Sequence, residues 1–209
     1  MRVLHFFKTY WPDTFGGVER TIHAIAKCGV NFGIESNVLS LSSRPTSEPF
    51  KFDGHEITQV KQNFEIASTG FSSAAFSKFR ELSQQADLVH FHFPWPFMDL
   101  VDFVTPHRRP TVVTYHSDIV KQQGLLRLYR PLMHHYLRGC DRIVATSPNY
   151  LASSPVLLRY RDKVDIIPLG LNETDYPQPD PERVAFWRKR LPGGFFLFVG
   201  VFRYYKGIQ

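Results

Sequence analysis

Several features that would place this sequence of 209 residues in other protein classes are missing from it. It has only two cysteines, Cys28 and Cys140, whose spacing suits no metal site, so we expect both to be reduced and structural. No apolar run reaches the roughly 18 residues that span a bilayer, and residues 2–7 form a strand pattern where a signal peptide would begin. We therefore expect a cytoplasmic protein.

The fingerprint of dinucleotide-binding proteins is also missing. Gly16 and Gly17 lie between the first strand pattern and a helical pattern, but they form no Gly-x-Gly-x-x-Gly turn, which disfavours a dinucleotide oxidoreductase. Two glycines at the start of a helix leave backbone N–H groups open to an anion, because no Cβ stands in the way. A tight turn without a ligand explains a lone glycine pair equally well.

What the sequence does contain is an ordinary globular composition with a basic charge. Hydrophobic residues make up 43% of the chain, which predicts a folded protein with a sizeable core. The formal charge of +6 should attract phosphate groups, nucleotides or anionic lipid headgroups. The basic residues are scattered and accompany no nucleic-acid-binding motif, so we expect no nucleic acid partner.

Strand and helix patterns alternate from residue 2 to residue 168, which predicts an α/β protein with a doubly wound parallel sheet of Rossmann-like type. Amphipathic patterns predict helices over residues 72–85 and 125–137, the second with a kink or break at Pro131.

A proline-rich stretch near residues 172–181 predicts a linker, so we divide the chain into a first domain of residues 1–171 and a linker with the start of a second domain at 172–209. A charged helix over residues 181–191 and an apolar strand over 194–200 follow. Because a buried strand needs neighbours, we expect the chain to be truncated within that second domain.

Two histidines lie near the end of the apolar run at residues 87–93, before a corner made by Pro94 and Pro96. His90 and His92 are two residues apart and therefore share one face of a strand. Such a pair raises the possibility of a metal, but no further ligands stand at a recognisable spacing. We predict no metal site and expect a polar strand end near a cleft.

The strand pattern of residues 111–115 leads directly into His116, Ser117 and Asp118. In open α/β sheets, ligands bind beyond the carboxyl ends of the strands, so these side chains should face the same crevice as the Gly16–Gly17 turn. A helix N-cap from Ser117 or Asp118 is an alternative that is compatible with this.

Six segments, in this order, together resemble the retaining GT-B-fold glycosyltransferases of glycosyltransferase family 4, and they extend over nearly the whole chain. The segments are Tyr10-Trp11-Pro12 with Gly16-Gly17-Val18-Glu19; Asp87-Leu88-Val89-His90-Phe91-His92; Thr114-Tyr115-His116-Ser117-Asp118; Ser147-Pro148; Val164 to Gly170; and Phe198-Val199-Gly200 with Lys206-Gly207.

The resemblance implies two Rossmann-like domains that face each other across a cleft, of which this chain is the first, acceptor-side domain. It implies that the amides of Gly16 and Gly17 approach the diphosphate of a nucleotide-sugar donor. His116 would contact the transferred sugar, with Asp118 beside it, and these two are the implied catalytic residues.

The family also places an Arg and a Lys of its second domain at the diphosphate. Lys206 matches the motif in its spacing from Gly200, whereas Val201 stands at the position of the Arg and the nearest Arg is Arg203. The implied diphosphate contacts are therefore Arg203 and Lys206. Tyr10, His92 and Ser147 are acceptor-side candidates.

The similarity extends to mannosyltransferases of bacterial surface-polysaccharide assembly, such as lipopolysaccharide. It implies transfer of a hexose, with mannose from GDP-mannose favoured, to a glycan or lipid-linked acceptor with retention and without a metal or other cofactor. A lipid-linked acceptor would bring the enzyme to the inner face of the membrane, as a peripheral contact. The glutamates that bind the donor in this family would follow Gln209, so the fragment alone is expected to be inactive.

Two alternatives stay open at this stage. A sugar-nucleotide epimerase shares the two-domain fold but needs no acceptor, and product analysis with and without acceptor would separate the two enzymes. A non-catalytic module of the same fold would lack the glutamates of the second domain.

Overall fold

The structure, a computed structural model, describes residues 1–119, 123–170 and 177–200. Its contacts divide the chain into two units, Met1–Gly170 and Leu171–Gln209. The strands are β1 (Arg2–Phe6), β2 (Glu35–Ser42), β3 (Phe50–Phe52), β4 (His55–Lys61), β5 (Phe64–Ile66), β6 (Thr69–Phe71), β7 (Leu88–Phe93), β8 (Thr111–Tyr115), β9 (Arg142–Ala145) and β10 (Val164–Ile166). The helices are α1 (Gly17–Gly29), α2 (Ser73–Gln85), α3 (Pro96–Val104), α4 (Gln123–Gly139), α5 (Pro148–Ser153), α6 (Pro155–Arg159) and α7 (Pro181–Arg190).

The first unit is built on an eight-stranded sheet in the order β10-β9-β8-β7-β1-β2-β4-β3. Every neighbouring pair is parallel except β3 and β4, which form an antiparallel edge. The chain moves outward from β1 through β2, returns to the other side of β1 with β7, and then moves outward again. The predicted doubly wound α/β fold is confirmed, and β1 with β7 marks its switch point.

Each face of the sheet has its own core, because side chains alternate between the faces along every strand. The larger core includes Leu4 and Phe6 of β1, Phe91 of β7 and Phe79 of α2, all of them buried. The smaller core lies on the side of α1, where Ile22 packs with Val38 and Ile57. Helices thus cover both faces, as the near-continuous apolar strands require.

The helix predicted at residues 72–85 is confirmed as α2, whereas α3 was missed. Pro94 and Pro96 indicated a corner without a helix, yet Pro96 occupies the first position of α3. That position suits proline, since the first N–H of a helix has no partner within the helix. Of the kink or break expected at Pro131, the break is wrong, since α4 runs from Gln123 to Gly139 through that residue.

The second unit contains α7, which was predicted and begins after Asp180, whose side chain accepts hydrogen bonds from the amides of Glu182 and Arg183. The prediction of a strand over residues 194–200 is wrong. In the structure this segment forms no strand, and Phe196 and Val199 are exposed. Strand formation needs a partner for the backbone hydrogen bonds, and the described residues of this unit provide none. None of the described helices combines the length and the apolar character that crossing a membrane would need.

Candidate active site

The carboxyl ends of β1, β7 and β8 bring the predicted site residues to one edge of the sheet. The glycine loop follows β1, Pro94 follows β7, and His116 follows β8. The amide of His116 donates a hydrogen bond to the carbonyl of Phe93 at 3.0 Å, which continues the pairing of β7 and β8 into this edge. This is the place where open α/β sheets bind ligands, at the point where the strand order reverses.

Gly16 and Gly17 form the start of α1. Gly16 is the N-cap residue and has no side chain with which to cap the helix, while Gly17 is exposed at the first helical position. The first N–H groups of α1 are therefore not satisfied by a cap, and the positive end of the helix dipole points to the same place. This geometry suits an anion, and the role of the two glycines at a diphosphate stays a prediction.

Glu19 lies beneath this loop, although sequence reasoning quoted it only as part of a motif. Its side chain is buried, and Oε1 accepts hydrogen bonds from the hydroxyls of Thr9 at 2.8 Å and Thr14 at 2.9 Å. A Cβ on Gly16 would lie only 2.8 Å from Oε2 of Glu19. A side chain at position 16 would therefore force the Glu19 carboxylate to shift. The sequence signal for this contact was an acidic residue two positions after the glycine pair.

Tyr10 supports the loop from within the protein. It is fully buried in the smaller core, and its hydroxyl lies 3.0 Å from Nε2 of His55. Burial raises the pKa of the Tyr10 phenol above its usual range. Trp11, the next residue, stacks on Phe52 with ring centroids 4.1 Å apart. A direct contact between Tyr10 and an acceptor would need this packing to rearrange.

His116 is the most informative residue of the site. Its ring is half-buried, and its Nε2 lies 3.2 Å from Nδ1 of His92, which is itself fully buried. Burial lowers the pKa of His116 to about 4, although the negative charge of Glu19 opposes this shift. The imidazole is therefore neutral at neutral pH, which suits hydrogen bonding to a hydroxyl group better than pairing with a phosphate charge.

Asp118 is held by two hydroxyl groups. Its Oδ1 accepts hydrogen bonds from Tyr115 at 2.8 Å and from Ser154 at 2.9 Å. Ser154 also caps α6 by accepting from the amide of Leu157. Asp118 thereby ties the loop after β8 to the helices that follow β9. The N-cap role expected for Ser117 or Asp118 is wrong, because residues 117–119 are not helical and α4 begins at Gln123.

Ser147 is the N-cap of α5 and accepts a hydrogen bond from the amide of Tyr150 at 3.1 Å. It follows β9 and so lies at the same edge of the sheet as His116. His92, the third acceptor-side candidate, is fully buried, and its Nδ1 lies 3.2 Å from Nε2 of His116 at this edge. Arg203 and Lys206 lie outside the described residues.

Three buried histidines, His5, His90 and His92, have ring nitrogens within 4.8 Å of one another, a spacing that can hold a metal ion. His5 Nδ1 and His92 Nε2 instead face each other in hydrogen-bonding geometry at 3.2 Å, and His90 Nε2 lies 2.7 Å from the hydroxyl of Thr114. Hydrogen bonds and ring stacking thus connect the three rings, and the absence of a metal at this cluster stays a prediction.

Two cavities of the first unit lie at the opposite edge of the sheet. One, of about 340 Å³, is lined by residues at the amino ends of β1 and β2, including Arg2 and Glu35. The other, of about 540 Å³, is lined by Pro110, Thr111 and Asp141, at the starts of β8 and β9. We place the site at the carboxyl edge, because the candidate chemical groups converge there and the cavities do not include them.

Comparison with known proteins decides the family of this chain. Residues 15–175 match the family described as Glycosyltransferase Family 4. The chain belongs to that family. Within Glycosyltransferase Family 4, it is 51% identical over all of its 209 residues to a protein named D-rhamnosyltransferase WbpZ from Pseudomonas aeruginosa. It is 47% identical, again over its whole length, to O-antigen chain mannosyltransferase C from Escherichia coli.

The chain spans about half of the length of these relatives, 55% of the first and 56% of the second. Solved structures agree with the fold. A sucrose-phosphate synthase from Thermosynechococcus elongatus superimposes on 91% of this chain with a TM-score of 0.59 at 15% identity, and the match covers 52% of that chain. The Anabaena protein HepE in complex with UDP gives a TM-score of 0.56 at 17% identity, covering 92% of this chain and 50% of its own. The predicted membership of glycosyltransferase family 4 and the predicted GT-B type of α/β fold are thereby confirmed.

Proposed function

We propose that the complete protein is a hexosyltransferase, which moves a sugar from a nucleotide-diphosphate donor to a glycan or lipid-linked acceptor with retention of configuration. Membership of Glycosyltransferase Family 4 and the transferase names of two relatives support the reaction class. The observation that carries the proposal within this chain is the neutral, half-buried ring of His116 at the switch-point edge, beside the open start of α1.

In this mechanism, the bond between the anomeric carbon and the diphosphate oxygen breaks, and negative charge develops on the leaving nucleotide diphosphate. Backbone N–H groups at Gly16 and Gly17 stabilise that charge, as fixed donors do in other sites where an oxyanion forms. The carboxylate of Glu19 lies close to this loop, and its negative charge would repel the diphosphate. The amides by themselves would therefore stabilise the leaving group only weakly. Cations from Arg203 and Lys206 are therefore part of the proposal.

The acceptor hydroxyl attacks the anomeric carbon from the side on which the diphosphate departs, which retains the configuration. Its proton passes to a phosphate oxygen of the leaving group, so no protein nucleophile is required. His116 hydrogen-bonds to the transferred sugar and orients it. Asp118, fixed by Tyr115 and Ser154, holds the loop that carries His116 in place.

For the donor, we propose GDP-mannose. One relative is named as a mannosyltransferase and another as a D-rhamnosyltransferase, and D-rhamnose differs from D-mannose only by lacking the hydroxyl at carbon 6. Assaying the full-length protein with GDP-mannose and GDP-D-rhamnose, with and without a glycan acceptor, tests donor and reaction together. Release of an epimerised sugar nucleotide in the absence of acceptor would show that the protein is an epimerase and not a transferase.

The role of His116 is tested by His116→Ala in the full-length protein. We expect the rate to fall by at least about 100-fold, since an orienting hydrogen bond at the reacting sugar is lost. The matched control is His135→Ala, an exposed histidine of α4 that lines the cavity at the opposite edge with Pro110. Unchanged turnover in His116→Ala would remove His116 from the site.

We include a peripheral membrane contact in the proposal because a lipid-linked acceptor would lie in the membrane. Phe79 of α2 is fully buried and belongs to the core, so it is not available for such a contact. Phe64 of β5 is exposed and stacks on Phe71. Flotation of the full-length protein with vesicles of anionic lipid tests the contact, and equal recovery with neutral vesicles would contradict it.

We further propose that the 209-residue chain alone has weak or no affinity for a sugar nucleotide, since family members bind the donor largely through their second domain. Calorimetric titration with GDP-mannose is expected to give no measurable heat at micromolar protein. A micromolar dissociation constant would contradict this.

A further inference from the structure

Three histidines form a continuous hydrogen-bonded row from the interior of the first unit to the candidate site. His5 Nδ1 lies 3.2 Å from His92 Nε2, and His92 Nδ1 lies 3.2 Å from His116 Nε2. The parallel register explains the alignment, because His5 lies opposite His90 and His92 lies opposite Thr114. Each contact of the row therefore runs diagonally, to the histidine two positions beyond the register partner. We call these three residues the histidine row.

The two ends of the histidine row differ. At the inner end, Nε2 of His5 is buried and has no hydrogen-bond partner within residues 1–119, 123–170 and 177–200. At the outer end, Nδ1 of His116 has no partner among the residues that the structure describes, and the ring is half-buried. Only the outer nitrogen is positioned to meet a ligand.

All three rings are neutral at neutral pH. Burial, followed by repulsion from neighbouring histidines, holds the pKa values of His5 and His92 well below the usual 6.5. Burial likewise holds the pKa of His116 at about 4. Each neutral imidazole carries one N–H, on one of its two nitrogens.

With one proton on each ring, only two arrangements satisfy both hydrogen bonds. In the first, every ring is protonated at Nδ1, so that His5 donates to His92 and His92 donates to His116. In the second, every ring is protonated at Nε2, and both bonds run in the opposite direction. Any mixed arrangement leaves two N–H groups, or two lone pairs, facing each other.

The inner end of the row selects between the two. The second arrangement would bury the N–H of His5 Nε2 without an acceptor, whereas the first leaves only a lone pair there. Buried N–H groups without a partner are rarer than acceptors without one. The tautomer of a histidine is set by the hydrogen bond at its other nitrogen, so the choice at His5 passes through His92 to His116.

We propose that His5 and His92 are positioning residues, which fix His116 as the Nδ1–H tautomer so that it presents an N–H donor to an oxygen of the transferred sugar. The part that concerns the sugar rests on the proposed function, while the tautomer does not. In this state His116 donates a hydrogen bond at Nδ1 and has no free lone pair with which to take a proton from the acceptor.

The tautomer is measured by long-range proton–nitrogen NMR correlation on the chain labelled with ¹⁵N-histidine at pH 7.5, after removal of metals with EDTA. Signals are assigned by single histidine substitutions. We expect the Nδ1–H pattern for both His116 and His92. An Nε2–H pattern at His116 overturns the proposal, and so does a metal-shifted nitrogen signal at His5 or His92 when zinc is added in stoichiometric amount.

Substitutions at residue 92 test the coupling. His92→Phe removes the donor to His116, and we expect His116 to change to the Nε2–H tautomer. His92→Asn retains an amide N–H near the place of Nδ1 and should restore the Nδ1–H tautomer. The matched control is His90→Phe, because His90 is also buried and stacks on His92 at 4.4 Å but bonds to Thr114 outside the row.

The same variants in the full-length protein connect the tautomer to catalysis. We expect kcat/KM for the sugar donor to fall about 10- to 100-fold in His92→Phe and to recover in part in His92→Asn, at equal thermal stability of the two variants. Equal loss in both variants would indicate a merely structural role and overturn the positioning role. If His116→Ala retains full turnover while the NMR pattern is as expected, the proposed function fails and the tautomer assignment stands.

Discussion

The adjacent glycines of the loop after β1 allow a sharp test of how this edge of the sheet is packed. A Cβ on Gly16 would lie 2.8 Å from Oε2 of Glu19, whereas a Cβ on Gly17 would meet no atom within 4 Å. Gly16 has φ −82° and ψ −165°, which alanine adopts without strain. Any destabilisation by Gly16→Ala therefore comes from the contact with Glu19 and not from backbone strain. Gly17→Ala lacks that contact and serves as its control.

The size of the effect follows from what holds Glu19. The contact is about 0.6 Å closer than the 3.4 Å at which ordinary packing begins, so the carboxylate must move. Movement weakens the hydrogen bonds from Thr9 and Thr14, and such bonds to a charged group contribute about 1.5–3 kcal/mol when lost outright. We expect Gly16→Ala to lower the free energy of unfolding by about 1–2 kcal/mol.

Gly17→Ala should act in the opposite direction. Alanine is favoured over glycine within a helix by about 0.8–1 kcal/mol, and somewhat less at the first position. We expect a change between about 0 and +1 kcal/mol. The gap of about 2 kcal/mol between the two variants corresponds to roughly 4–8 °C in the thermal midpoint for a chain of this size.

Urea unfolding followed by tryptophan fluorescence and far-UV circular dichroism measures both variants, with the fully buried Trp95 as the reporter for the first unit. A double-mutant cycle with Glu19→Ala isolates the contact, since Gly16→Ala should then have no further effect. Equal stability of Gly16→Ala and Gly17→Ala, or strict additivity of Gly16→Ala with Glu19→Ala, would refute the reasoning.

Three further predictions concern the first unit. Ser154→Ala should lower the free energy of unfolding by about 1–2 kcal/mol in urea titrations, because it removes the cap of α6 and a bond to a carboxylate, while Ser153→Ala, at an exposed position, should change it by less than about 0.5 kcal/mol. Phe79→Ala should lower the unfolding free energy by about 3–5 kcal/mol, because it empties a fully buried site, and Phe32→Ala, 82% exposed, should be nearly neutral; similar values for the two would contradict this core. Burial holds the pKa of His90 at about 3, so the unfolded chain takes up protons first as pH falls below about 6.5. Stability should therefore be full above pH 6.5 and fall by about 1.4 kcal/mol per unit for each such histidine down toward pH 3, and equal unfolding free energies at pH 7.5 and 5.5 would contradict this.

Much of the sheet could be predicted because its strands are buried on both faces. Such strands are short apolar runs between polar loops, and the run at Thr111–Tyr115 has the same bounds in the structure. The strand predicted at residues 194–200 shows the limit of this reasoning, since an apolar run becomes a strand only beside a partner. Helix α3 was not predicted, because a proline is compatible both with a corner and with the first turn of a helix.

The sequence by itself determined the alternation of strands and helices, the glycine pair after β1 and the polar residues after β8, because each is a local pattern of residue types. Only the tertiary structure decided which of these residues meet. His5 and His92 are 87 positions apart and touch because β1 and β7 pair in parallel register. Thr9 reaches Glu19, ten positions later, because the loop after β1 folds back on the first turn of α1. Contacts of this kind depend on strand order and burial, which no local pattern of residues contains.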